Sequence, residues 1–175
     1  MAGLKDALGN VFLGLASSLR SRGRPVGLMR LTGSGYGQRC NINPYHIYVV
    51  MSHRSRDNEN YVATPNTDIC LSATSMTVVE GVSEVVETLR LKWGIPFVSV
   101  RNADVGGEYW LNARKVVTVF PIDANRCCVK TGKFRINIVE SADSLAERID
   151  KALCTSATQP RRVGLVRETE QARAD

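Results

Sequence analysis

An α+β fold is what this sequence predicts: two repeated small units of β-sheet or barrel-like form, each closed by a C-terminal helix, with an arm at either end. Three observations lead there. A glycine-rich stretch, then an Asn, then a β-branched run occurs at Leu31–Val50 and again at Asn102–Phe120. Each copy is followed by two more β-rich runs. Each half then closes with apolar residues at helical spacing. The implied boundaries are an arm at 1–24, a first unit at 25–92, a second at 93–154 and a tail at 155–175.

The repeated phrase opens at Pro25 and at Pro96 with an apolar strand that reaches Arg30 or Arg101. Turns follow at Gly33, Gly35 and Gly37, and at Gly106 and Gly107, where glycine supplies left-handed backbone angles. A strand then reaches Asn43 or Asn112. The runs beyond it, Ile47, Val49 and Val50 against Val116, Val117 and Val119, favour strands because branched side chains pack well on a pleated surface. Two further strands are expected in each half, and Thr131-Gly132 marks a hairpin in the second. Val82, Val85, Val86 and Leu89 fall on one helical face, as do Ala142, Leu145, Ala146, Ile149 and Leu153. Ser141 stands where an N-cap is needed. Pairing Arg30 with Arg101, Asn43 with Asn112, and Val79-Glu80 with Val139-Glu140 gives offsets of 71, 69 and 60. The chain reads as a duplication with insertions.

Composition narrows the function classes. The chain has 175 residues, of which 43% are hydrophobic, enough for one ordinary domain or two very small ones. No apolar run approaches the roughly 20 residues of a membrane-spanning helix. Five scattered cysteines without a Cys-x-x-Cys pair suit reduced, buried thiols better than a disulfide framework or zinc knuckle. A cytoplasmic setting, or one inside a virus-type assembly, is expected, and secretion is not. The net charge of +6 is concentrated at the ends: Arg20, Arg22, Arg24 and Arg30 crowd one region, with Arg161 and Arg162 near the other terminus. Basic ends around a neutral middle suggest arms rather than a basic binding face.

Several of these residues resemble the FlbD family of small bacterial proteins, also called SwrD-like. The first unit has Arg30-Leu31-Thr32-Gly33, then Ile42-Asn43 followed by Ile47, then Pro65, Thr67, Ile69 and Leu71, and finally Val79, Glu80, Glu84 and Val85. The second keeps Leu111-Asn112, Val116, Val139, Glu140 and Leu145 but lacks the Pro-x-Thr step. The resemblance spans Pro25 to about Leu153. It implies a small β-rich fold, an association with flagellar motility and no enzymatic activity. Family members are usually single units, whereas this chain is read as tandem, with an insertion and arms.

Candidate chemistry is sparse. Cys40 and His46 are the available nucleophile–base pair, and their plainer reading is two neighbours on adjacent strands. Cys127 and Cys128 are consecutive on a strand, so they face opposite ways and cannot hold one metal together. The "GSGYG" stretch precedes a strand, not the helix a phosphate loop requires. No catalytic residue, metal ligand or cofactor is expected.

Binding offers more. "MSHRSRDNENYVATPN" is polar and about 11 residues longer than its counterpart. Arg54, Arg56 and Tyr61 in it are candidates to grip a small anionic ligand, by guanidinium hydrogen bonds and stacking. A solvated hairpin, with Asp57 and Glu59 pairing the arginines, is the plainer reading. In the N-terminal arm, Leu4, Leu8, Val11, Phe12, Leu15 and Leu19 keep a helical stripe ahead of the basic stretch. Docking on a partner, lying on an anionic membrane and organelle targeting compete to explain it. Gly9 and Gly14 weaken an isolated helix by about 1 kcal/mol each, which a partner surface would offset. Leu8, Phe12, Leu15, Leu19, Arg20, Arg22 and Arg24 are therefore the expected partner-binding residues.

The function expected is a non-catalytic, oligomer-forming assembly protein, with a virus-encoded assembly as one setting and a homo-oligomer or larger protein assembly as partner. One alternative is a nucleic-acid-binding protein using Arg20, Arg22, Arg24, Arg30, Arg161 and Arg162 on phosphates. Another is a sponge that sequesters a small anionic nucleotide with the insertion arginines.

Overall fold

The computed structural model describes residues 27–35, 37–57, 60–72 and 74–158, without the side chains of 55–63, 157 and 158. The arm at 1–24, with its partner-binding candidates Leu8, Phe12, Leu15, Leu19, Arg20, Arg22 and Arg24, lies outside the described residues, as do Arg161 and Arg162.

The described chain is mostly β, with three sheets and two helices. The strands β1 (Met29–Thr32) and β2 (Arg39–Ile42) lead through a single 3-10 turn at Pro44–His46 into β3 (Ile47–Asp57), β4 (Asn60–Leu71) and β5 (Ser75–Val78). Helix α1 (Val82–Trp93) follows. The same order then runs again: β6 (Phe97–Arg101), β7 (Glu108–Asn112), a 3-10 turn at Ala113–Lys115, β8 (Val116–Asp123), β9 (Arg126–Thr131), β10 (Phe134–Ile138) and α2 (Ala142–Thr158). All strand pairs are antiparallel.

The central sheet has five strands in the order β5-β4-β3-β7-β6, flanked by the pair β1-β2 and the three-stranded sheet β10-β9-β8. The two halves are therefore not separate closed bodies. β6 and β7, from the expected second unit, extend the sheet begun by β3, β4 and β5. Side chains alternate across a strand, so this sheet has two faces. Val50 and Ile69 on one face join a core with Met29, Leu31, Val85, Leu89 and Trp93, under β1-β2 and α1. Val49, Val98 and Leu111 on the other join Cys127, Val129, Ile136 and Leu145, under β9, β10 and α2. Trp110 packs against the first core.

Local chemistry explains the element ends. The Ser141 hydroxyl accepts from Ser144 N at 3.3 Å, capping α2. α1 begins at Gly81 without a side-chain cap and stops at Gly94, which takes the left-handed conformation (φ 60°). Of the five glycines expected to be left-handed, Gly37, Gly106 and Gly107 are, whereas Gly33 is bridged to Val78 like a strand residue and Gly35 keeps an ordinary φ. The Asn43 side chain accepts from Tyr45 N and the Asn112 side chain from Arg114 N, so each caps its 3-10 turn.

The alignment of halves differs from the expected one at its start. Gly33 bridges Val78, and Asn102 bridges Ile138. Val79 N donates to the Thr32 carbonyl, and Val139 N to that of Arg101. Arg101 thus occupies the place of Thr32, not of Arg30, and the offset there is 69 rather than 71. Matching the two arginines followed side-chain identity, whereas the backbone bonds follow position. The offset stays at 69 through β3 and β8, both of which bulge at the corresponding step, Ile47/Val49 and Val116/Thr118. It drops to 60 for β4, β5 and the paired strands β9 and β10. The polar insertion is therefore nine residues, not about 11, and it continues β3 and β4 as paired strands.

Candidate interaction edge

β8 is the feature of the described surface that is least like a finished structure. It is the outer strand of its sheet, with β9 on one side. Val117, Phe120 and Ile122 along it are 68%, 45% and 48% exposed. An apolar outer strand offers unpaired backbone N–H and C=O groups beside sticky side chains, a combination that soluble proteins normally cover or charge. Here Pro121, which has no N–H to donate, limits the pairing-competent stretch to Val116–Phe120.

The corresponding strand of the first half is covered. β3 carries β7, with Val49 opposite Leu111, Val50 opposite Trp110 and Met51 opposite Tyr109. Buried Asn112 donates from Nδ2 to the Ile47 carbonyl at 2.8 Å. Tyr48 leaves β3 at the bulge and lies over the β9–β10 hairpin. Its ring centroid is 6.4 Å from that of Phe134, the Lys115 Nζ is 5.1 Å from it, and a Cβ on Gly132 would meet Tyr48 Cε1 at 2.6 Å.

The ligand candidates separate. Arg54 donates from Nη1 to the Val105 carbonyl, and its guanidinium lies against Gly107, so it docks the hairpin onto the β6–β7 turn instead of standing free. Arg56 and Tyr61 face each other across the hairpin backbone, and their side chains lie outside the described ones. A cavity of about 450 Å³ opens elsewhere, between α1 and the end of α2, with Arg90 and Glu87 in its wall and none of the insertion arginines.

Sequence reasoning missed one polar cluster. His53 Nδ1 lies 3.0 Å from both carboxylate oxygens of Asp68, and Thr77 Oγ1 donates to Asp68 Oδ1 at 2.6 Å. These residues are far apart in the chain and meet only because β3, β4 and β5 are neighbours. Asp68 and burial together push the Cys70 thiol up to about 11, with burial the larger cause. Cys127 is raised for the same principal reason. Cys40 and His46 border one shallow hollow of about 360 Å³ beside β2, together with Asn43, Ser72, Thr74 and Met76. Among the described residues no group of three or more His, Cys, Asp or Glu is arranged to hold a metal, and no helix is long and apolar enough to cross a membrane.

No family model matches the chain, and no curated protein matches it. A solved structure that is similar is the LytTr DNA-binding domain of a response regulator from Bacillus cereus. The likeness covers 74% of this chain and 98% of that one, at 12% sequence identity and a TM-score of 0.45. At 12% identity it places this chain in no family.

Proposed function

We propose that this chain is a tandem pair of like β-rich units that works without catalysis, as an assembly module joining protein chains. The observation that carries the reading is the open, apolar edge of β8. The support for tandem units is the matched set of backbone and cap bonds: two bridges, two strand-end bonds, two Asn-capped turns and two bulges at one register. The FlbD-like likeness of the repeated motifs belongs to the same proposal, as a reading of the fold. A short β-branched segment, Val116–Val119, is suited to receiving a strand because its backbone supplies affinity and the exposed Val117 side chain supplies selectivity.

The test is native mass spectrometry of the full chain over a range of concentrations, without added ligand. Multiples of the 19.2 kDa chain are expected. A species that stays at one chain mass at every concentration overturns the reading. Extra mass equal to a nucleotide or a nucleic-acid fragment would replace it with one of the two binding alternatives.

A further inference from the structure

We infer that β8 pairs with β2 of a second copy of this chain, in the register by which β3 pairs with β7 inside one chain. The inference deepens the assembly reading and rests on it and on the equivalence of the two halves.

β3 presents Val49–Met51, and β7 presents Tyr109–Leu111. At the offset of 69 shared by all four strands, β8 offers Thr118–Phe120 in the place of Val49–Met51, and β2 offers Cys40–Ile42 in the place of Tyr109–Leu111. Among the described residues, β8 pairs only with β9 and β2 only with β1, so each has one open side. Each copy therefore carries both halves of a joint, unused, whose complete form it already contains. Antiparallel addition sets Thr118 opposite Ile42, Val119 opposite Asn41 and Phe120 opposite Cys40 of the second copy. Pro121 falls just beyond the last pair, as Ser52 falls beyond the last pair of β3 with β7.

The surface beside β2 is shaped for this. In the second half, the corner between β7 and the β9–β10 hairpin is filled by Tyr48. The matching corner of the first half is the hollow of about 360 Å³. His46, Ser72 and Thr74 border it, in the places that Lys115, Gly132 and Phe134 hold around Tyr48. The counterpart of Tyr48 is Val117, whose side chain is 68% exposed. A second copy seated on β2 delivers its Val117 into the hollow. Asn43 sits where Asn112 donates to Ile47, so its Nδ2 is placed to donate to the Val116 carbonyl of the second copy. Among the described residues, an exposed apolar side chain and an unfilled hollow thus fall on the two strands that symmetry would join. The contact is heterologous, since β8 of one copy meets β2 of another, so it builds a ring where the rotation closes and an open chain where it does not.

The experiment uses Phe120→Cys in the full chain. A short bismaleimide linker should join the new thiol to native Cys40 of another copy, mapped by peptide mass spectrometry and abolished by adding Cys40→Ser. Val117→Glu, at an exposed site, should weaken self-association at least tenfold while leaving the melting temperature of the dissociated chain unchanged. Association without the 40–120 link, or Val117→Glu protein that associates as tightly as the parent, overturns the pairing and leaves the assembly reading standing. A chain that never associates overturns the assembly reading itself.

Discussion

Asn112 and Asn43 hold corresponding positions but carry different loads, and replacing each by alanine measures the bond between the two halves of the chain. Both side chains cap a 3-10 turn, at 3.1 Å to Arg114 N and to Tyr45 N. Losing such a cap costs about 0.5–1 kcal/mol, the lower part of the range for helix N-caps. Asn112 is buried and also donates to the Ile47 carbonyl across the β3–β7 joint, whereas Asn43 is exposed. Asn112→Ala therefore removes a donor from a carbonyl sealed from water, which adds about 1–3 kcal/mol. The expected losses are about 1.5–4 kcal/mol for Asn112→Ala and about 0.5–1 kcal/mol for Asn43→Ala. At roughly 2–4 °C per kcal/mol for a chain of this size, the melting temperatures should fall by roughly 3–16 °C and roughly 1–4 °C. Urea titration of dilute, dissociated protein is the assay, with the midpoint moving and the slope constant. Asn112→Asp should be no better than alanine, because it keeps the cap but turns an acceptor towards the Ile47 carbonyl. Equal losses at positions 43 and 112 would refute the claim that this hydrogen bond fastens the halves.

Two further outcomes are expected. Gly132→Ala forces a Cβ to within 2.6 Å of the Tyr48 ring at a φ of 59°, so stability should drop by about 1–3 kcal/mol in thermal melts. The loss should be smaller in a Tyr48→Ala background, and equal losses in both would separate the glycine from the ring. In the thiol experiment, exposed Cys154 should alkylate readily at pH 8 in the native protein, while Cys70, pushed up to about 11 by burial and Asp68, should not. Because burial disfavours the thiolate, Cys70 labelling should rise only on strongly alkaline titration or unfolding. Prompt native labelling of Cys70 at pH 8, located by peptide mapping, would contradict that burial.

Much of the element structure is legible in the sequence because its causes are local. The 3.6-residue spacing of Val82, Val85, Val86 and Leu89 gives a helix, and all but Val82 of these are buried where the face predicts. The Ser141 cap is readable for the same reason, as is the hairpin whose turn is Gly132-Lys133. The alignment of Arg30 with Arg101 failed because like side chains need not share a place in a sheet. The bridges of Gly33 and Asn102 are made by backbone atoms that every residue has. In the sequence Arg54 reads as a ligand candidate or a partner of Asp57 and Glu59, because nothing in its neighbourhood announces the Val105 carbonyl that it reaches across the sheet.

Which segments become strand or helix, and the order in which they recur, follows from local chemistry, since periodicity, capping and turn residues act within a few positions. That β3 is covered by β7 while β8 is, among the described residues, an outer strand follows from long-range packing instead. Strand pairing is made by backbone groups that are alike along the chain. The same β-branched run can therefore be an inner strand or an edge, and long-range packing chooses between them.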